Sequence, residues 1–176
     1  MKLVEVIYMR DKLKSVRGMT LAELMAVVVV IGIATSLAAP TFDRSVQRVK
    51  FRGETKNVVS ALRTARSYAI SEKTPYGLYF DGNSFTLTLF KDIANPSDFT
   101  YEYANDSTVR VDSLPHEFNY LYATFPNSAV IFEPNGTASS SGDVFLMSTS
   151  GSIINLSDVS VLAATGRCRV EYIHNY

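Results

Sequence analysis

The chain has 176 residues, 47% of them hydrophobic, enough for one buried core with an appended helix and too few for two full domains. Basic and acidic residues number 17 each, which excludes the overall basic surplus of a protein that holds nucleic acid by bulk charge. The single cysteine, Cys168, excludes an internal disulfide and a multi-cysteine metal site, and its ordinary role is that of a small buried hydrophobe.

The chain opens on a basic segment. Residues 1–18 carry Lys2, Arg10, Lys12, Lys14 and Arg17 against Glu5 and Asp11, and leave 12 basic and 15 acidic residues for the remainder. Met9 offers an alternative start that keeps the same +3 charge. From Met19 to Ala39 there follows an apolar stretch of 21 residues whose one charge is Glu23. As a helix it would measure about 32 Å, against about 30 Å of bilayer hydrocarbon. Three readings fit: a discarded signal peptide, a permanent anchor, and a segment that passes from bilayer to protein assembly. Ser36-Leu37-Ala38 has the small residues that a signal peptidase needs. Glu23 counts against that reading, because a discarded apolar region gains nothing from an acid near its start. Arg44, Arg48, Lys50, Arg52 and Lys56 against Asp43 and Glu54 give the far flank +3 as well, so charge alone leaves the topology open.

Past Pro40 the apolar residues keep helical spacing: Phe42, Val46, Val49, then Val58 or Val59, Leu62, Ala65 and Ala69. This predicts one helix from about Thr20 to Ser71, weakened locally at Pro40 and Gly53. From Thr74 the pattern turns to strands. "YGLYF" and "SFTLTLF" around Asp81-Gly82-Asn83 predict a hairpin over Tyr76 to Phe90. Further strands are predicted at Thr108–Asp112, Asn119–Thr124, Ala129–Phe132, Val144–Met147, Val159–Ala163 and Arg167–Ile173, with loops such as "EPNGTASSSGD" between them. A helix packed on antiparallel sheet, an α+β fold, follows.

No catalytic constellation stands out. His116 and His174 lack Cys or His partners at ligand spacing, and no nucleophile elbow or phosphate-binding glycine loop is present, so neither enzymatic activity nor a cofactor nor a metal is expected. Asp81, Asp98, Asp106 and Asp143 sit in turn-like sequence without EF-hand spacing. Asn105, Asn135 and Asn155 fit a glycosylation sequon but read as turn residues. In "GRCR", a strand would send Arg167 and Arg169 to one face and Cys168 and Val170 to the other.

Arg17-Gly18 followed by Met19-Thr20-Leu21-Ala22-Glu23-Leu24 and an apolar run resembles the class III leader of type IV pilins and type II secretion pseudopilins. The resemblance implies that a prepilin peptidase cuts between Gly18 and Met19 and methylates the new Met19 amine. It also implies that the Glu23 carboxylate neutralises the Met19 amine of a neighbouring subunit in a filament. The C-terminal part carries Phe132, Pro134 and Gly136 in an F-x-P-x-G turn, and Thr165, Gly166, Arg167 and Arg169 in a T-G-R-x-R element. Both are similar to GspH/FimT-like minor pilins and pseudopilins. That family implies a cleaved leader at 1–18, and a helix at 19–71 whose 19–39 part spans the inner membrane or forms the filament core and whose 40–71 part is amphipathic. It implies a periplasmic β-rich domain of two sheets at 72–176. The function implied is that of a structural subunit, near the filament tip, of a type II secretion pseudopilus or type IV pilus, with other pilins, the prepilin peptidase and the inner membrane as partners. The alternative is a DNA-binding minor pilin for natural transformation, gripping phosphates through Arg167 and Arg169. A mature charge of −3 and the adjacent Glu171 weigh against it.

Overall fold

The computed structural model describes residues 18–150 and 153–174. Two compact units divide the chain, residues 1–43 and 44–176. Helix α1 (Leu21–Glu72, 52 residues) is assigned without a break through Pro40 and Gly53. In the first unit the described residues up to Leu37 and Ala38 are all exposed. The helix ends where Lys73 turns left-handed (φ 53) and Pro75 follows, a pairing that cannot continue an α-helix.

In the second unit α1 buries one stripe: Phe51, Thr55, Val58, Val59, Leu62, Ala65 and Ala69. Their spacing of three and four is the helical repeat expected of a core-facing side. Two residues of the predicted apolar stripe do not join it, since Phe42 is 70% and Val49 69% exposed. The core cluster begins at Phe51.

Among the described residues, eight strands form two antiparallel sheets. The first has the order β3-β2-β1-β5, from β1 (Tyr76–Asp81), β2 (Thr86–Lys91), β3 (Ser107–Ser113) and β5 (Ala129–Phe132). The second has the order β4-β6-β7-β8, from β4 (Phe118–Ala123), β6 (Gly142–Ser150), β7 (Ile153–Leu162) and β8 (Arg167–His174). The predicted hairpin is present, closed by the Asp81 carboxylate, which accepts the Asn83 and Ser84 N–H groups and the Ser84 hydroxyl. Strand β7 starts six residues before its predicted position at Val159. The missed half, "IINLSD", carries polar residues that face inward: Ser157 is fully buried and its Oγ lies 3.1 Å from Thr55 Oγ1. Thr55 donates its own hydroxyl proton to the Phe51 carbonyl, so Ser157 is the donor to Thr55.

One core joins the helix stripe to Leu78, Phe80, Leu89 and Phe132 of the first sheet and Leu121, Val144, Leu146 and Val159 of the second. The other face of the first sheet is covered by the β2–β3 loop. Tyr101 lies 4.6 Å from Phe90 and 5.2 Å from Tyr79 between ring centroids, and Phe90 is fully buried. Asp106 staples this loop, its Oδ1 accepting the Ile93 and Ala94 N–H groups at 3.1 and 3.2 Å and its Oδ2 that of Glu102 at 2.9 Å.

Asp92, at the loop's entry, is 1% exposed, and among the described residues neither of its carboxylate oxygens has a hydrogen-bond partner. Burial first, then the charge of Asp106, pushes its carboxyl up to about 6. In the unfolded chain it titrates near 3.8, so the folded state holds the proton more tightly. The stabilisation from protonating this group is complete below about pH 4 and is lost as pH rises through about 6. Asp92→Asn is therefore expected to stabilise the chain at pH 7 to 8, by on the order of 1 kcal/mol, with little effect near pH 4. The difference between the two proteins' urea midpoints, followed against pH, checks this.

Candidate functional site

Gly18 and Met19 are exposed and precede α1. The leader residues 1–17 lie outside the described residues. Glu23 occupies the first turn of α1, where the helix leaves backbone N–H groups unpaired. It forms a capping box with Thr20: the Glu23 N–H donates to Thr20 Oγ1 at 3.2 Å, and the Thr20 N–H donates to Glu23 Oε2 at 3.5 Å. The spacing T-x-x-E was available in the sequence and gives Glu23 a second task. It also places a negative charge at the positive end of the helix dipole. Every described residue from Leu21 to Ala38 is exposed, including Leu21 at 80% and Leu37 at 73%.

The two C-terminal motifs meet on Arg66 of α1. The turn after β5 closes with Gly136 N–H donating to the Glu133 carbonyl at 2.8 Å, and Gly136 adopts φ +84. Arg66 Nε donates to the Gly136 carbonyl at 2.9 Å. Gly166, between β7 and β8, adopts φ +59 and is buried against the same group. A Cβ on Gly166 would collide with the Gly136 carbonyl oxygen and come within 2.8 Å of Arg66 Nε. Ala138 N–H donates to the Ala163 carbonyl at 2.8 Å, which zips the two loops together. Helix, first sheet and second sheet are thus joined at one point. The glycines of both motifs are required by this close approach, and Arg66, which has no distinguishing sequence signal, was not anticipated.

Arg167 and Arg169 are exposed on the outer side of the edge strand β8. Glu171 shares that side, and pairs with Asp158 on β7 in the register that sets Arg169 opposite Ser160. Asp143 of β6 lies opposite Ser160. Burial, then Asp143 and Glu171, push the Asp158 carboxyl up. Two arginines therefore share this surface with three acids. Cys168 faces inward and packs against the core, where burial pushes its thiol up despite Arg63 and Arg66.

Two adjoining grooves, of about 450 and 480 Å³, run between α1 and the β3–β4 connection. They share Glu54 and Asn57, which are hydrogen-bonded to each other at 3.0 Å. Among the described residues no group of three or more His, Cys, Asp or Glu side chains is placed to hold a metal ion.

Residues 54–162, more than half of the sequence, match the family described as type II transport protein GspH. The chain belongs to this family. It is 36% identical over 97 residues to a protein described as the type IV major pilin protein PilA of Myxococcus xanthus (strain DK1622). That alignment covers 55% of this chain and 37% of the relative, so the match spans little more than a third of the relative's length. Among solved structures, the minor pseudopilin EpsH from the Type 2 Secretion System of Vibrio cholerae superposes with a TM-score of 0.55. The superposition covers 70% of this chain and 97% of that one at 11% identity, which shows a shared fold. The long helix with two antiparallel sheets is thus the pseudopilin architecture, an α+β fold. GspH-family proteins and this fold are those of structural pilins and not of enzymes. Neither the mixed charge around Arg167 and Arg169 nor these comparisons support the DNA-binding alternative.

Proposed function

We propose that this GspH-family chain is a minor, structural subunit of a pilin-type filament serving type II secretion or a type IV pilus, near the filament tip. In this reading residues 1–18 are a leader removed after Gly18 by a prepilin peptidase, and Met19 becomes the methylated first residue. The stretch 19–39 anchors the chain in the inner membrane until assembly, when it enters the filament core beside other pilins. The β-rich domain of residues 72–176 faces the periplasm. The observation that supports it most is the exposure of an apolar helix on every side from Leu21 to Ala38, in a chain of this family. A helix apolar all round is stable only in lipid or packed among other apolar helices.

A photo-cross-linker at Val28, in cells carrying the filament machinery, tests the reading. Adducts to another pilin that require the prepilin peptidase are expected. Adducts to lipid alone, whether or not the peptidase is present, would reduce the segment to a plain anchor.

A further inference from the structure

The outer face of the second sheet, turned away from the core, is divided by the strand register into an apolar part and an acidic part. One cross-strand row runs Tyr120, Met147, Leu156 and Ile173, apolar on all four strands. The next row runs Tyr122, Phe145, Asp158 and Glu171, two aromatic rings and then two acids. Tyr120 is 44%, Tyr122 52% and Ile173 42% exposed, and the two tyrosine rings stand 6.3 Å apart on the edge strand β4. An antiparallel sheet face left to water normally carries polar side chains at such positions. The first sheet has its outer apolar side chains covered by Tyr101 and its loop, whereas these stay open. Asp158 is the misfit among them. Its Oδ1 is closed off from water without a hydrogen-bond partner among the described residues, and Glu171 and Asp143 nearby are acids as well. Among the described residues the ion pairs are Lys91–Glu72 and Arg110–Asp112, so neither Arg167 nor Arg169, farther along β8, neutralises these acids at contact distance.

We propose that this face docks the globular domain of a different pilin subunit, one whose contact surface is apolar and carries a lysine or arginine that reaches Asp158 and Glu171. It rests on the reading of this chain as a filament subunit. The charge pattern selects a cationic partner, because covering two neighbouring carboxylates without one would bury like charges together. It also excludes a second copy of this chain. Two copies packed face to face are related by a two-fold axis lying in the contact plane. An axis along the strands, through the middle of the sheet, sets Asp158 over Phe145 and Glu171 over Tyr122. An axis across the strands, centred on the apolar row, sets Asp158 over Ile154. Neither arrangement brings Arg167 or Arg169 to the acids. Tyr120 and Tyr122 suit the anchoring role, since tyrosine offers a large contact area at a small loss of side-chain freedom.

The test places a photoreactive phenylalanine at Tyr120 of the full chain, in cells carrying the filament machinery, and identifies the adduct by mass spectrometry. An adduct with another pilin is expected. Its yield should fall about tenfold or more in the D158N and E171Q double variant and in Ile173→Asn, and persist in the R167Q and R169Q double variant. All of these side chains point away from the core, so wild-type urea midpoints are expected throughout. Adducts to a second copy of this chain alone, or to an exported protein alone, overturn the proposal. So does an adduct that survives the loss of both acids, or one lost with the arginines instead, which would make the partner acidic. Adducts from Val28 without any from Tyr120 overturn this proposal alone, and adducts from neither position overturn the filament reading with it.

Discussion

Gly166→Val is expected to destabilise the globular part by roughly 3 to 5 kcal/mol, a large share of the ~5–15 kcal/mol that holds a domain of this size together. Three effects add up. Valine is a poor fit to φ +59, where a β-branched side chain is a genuine outlier. Its Cβ would also collide with the Gly136 carbonyl oxygen, and neither backbone can retreat while the Ala138–Ala163 hydrogen bond holds the loops together. Finally, moving either loop breaks the hydrogen bond from Arg66 Nε to the Gly136 carbonyl and leaves a part-buried guanidinium unpaired there. Urea unfolding of the full chain in mild detergent measures the change. Arg167→Ala, one position away but exposed, should shift stability by no more than about 0.5 kcal/mol. Comparable small effects at both positions would contradict the assignment of this motif to loop packing.

The second large effect is expected at Glu23, where two tasks can be separated chemically. Glu23→Gln retains the capping box, because a glutamine side chain also accepts the Thr20 N–H, but it removes the charge. Thr20→Ala does the reverse, at a cost of about 1 kcal/mol to the helix start. If the carboxylate neutralises a neighbour's Met19 amine in a filament core of low dielectric, Glu23→Gln should reduce incorporation at least tenfold. The basis is that an uncompensated buried charge typically costs about 3 to 5 kcal/mol. Thr20→Ala should then assemble nearly as the wild type does. The opposite ranking, measured as the share of chain recovered in sheared filaments, would make Glu23 a helix cap only.

Much of the fold was legible because its signals are local. A 3.6-residue apolar repeat marked the helix, and β-rich runs separated by Gly, Asn and Pro marked each of the eight strands. What escaped depends on contacts distant in sequence. The first half of β7 looked like loop because Asn155, Ser157 and Asp158 are polar, yet Ser157 points inward to a hydroxyl about a hundred positions away on the helix. Phe42 and Val49 share the spacing of a core stripe, but periodicity alone does not say where the sheets stop. The covering of Phe90 by Tyr101 likewise required a loop to fold back on the sheet. At the site, the motif glycines were visible from the sequence, while their common partner Arg66 was one arginine among many. The Thr20–Glu23 box is readable from its T-x-x-E spacing.

Whether this apolar helix belongs to an assembling pilin, and not to a signal peptide or a plain anchor, is decided by where the mature chain begins. Intact-mass analysis of the membrane-extracted protein, from cells with and without a prepilin peptidase, measures that directly. A chain beginning at Met19 and one methyl group heavier than its unmodified sequence is expected, with the full leader retained when the peptidase is absent. A chain that begins after Ala38, or one that keeps residues 1–18 in the presence of the peptidase, would contradict it.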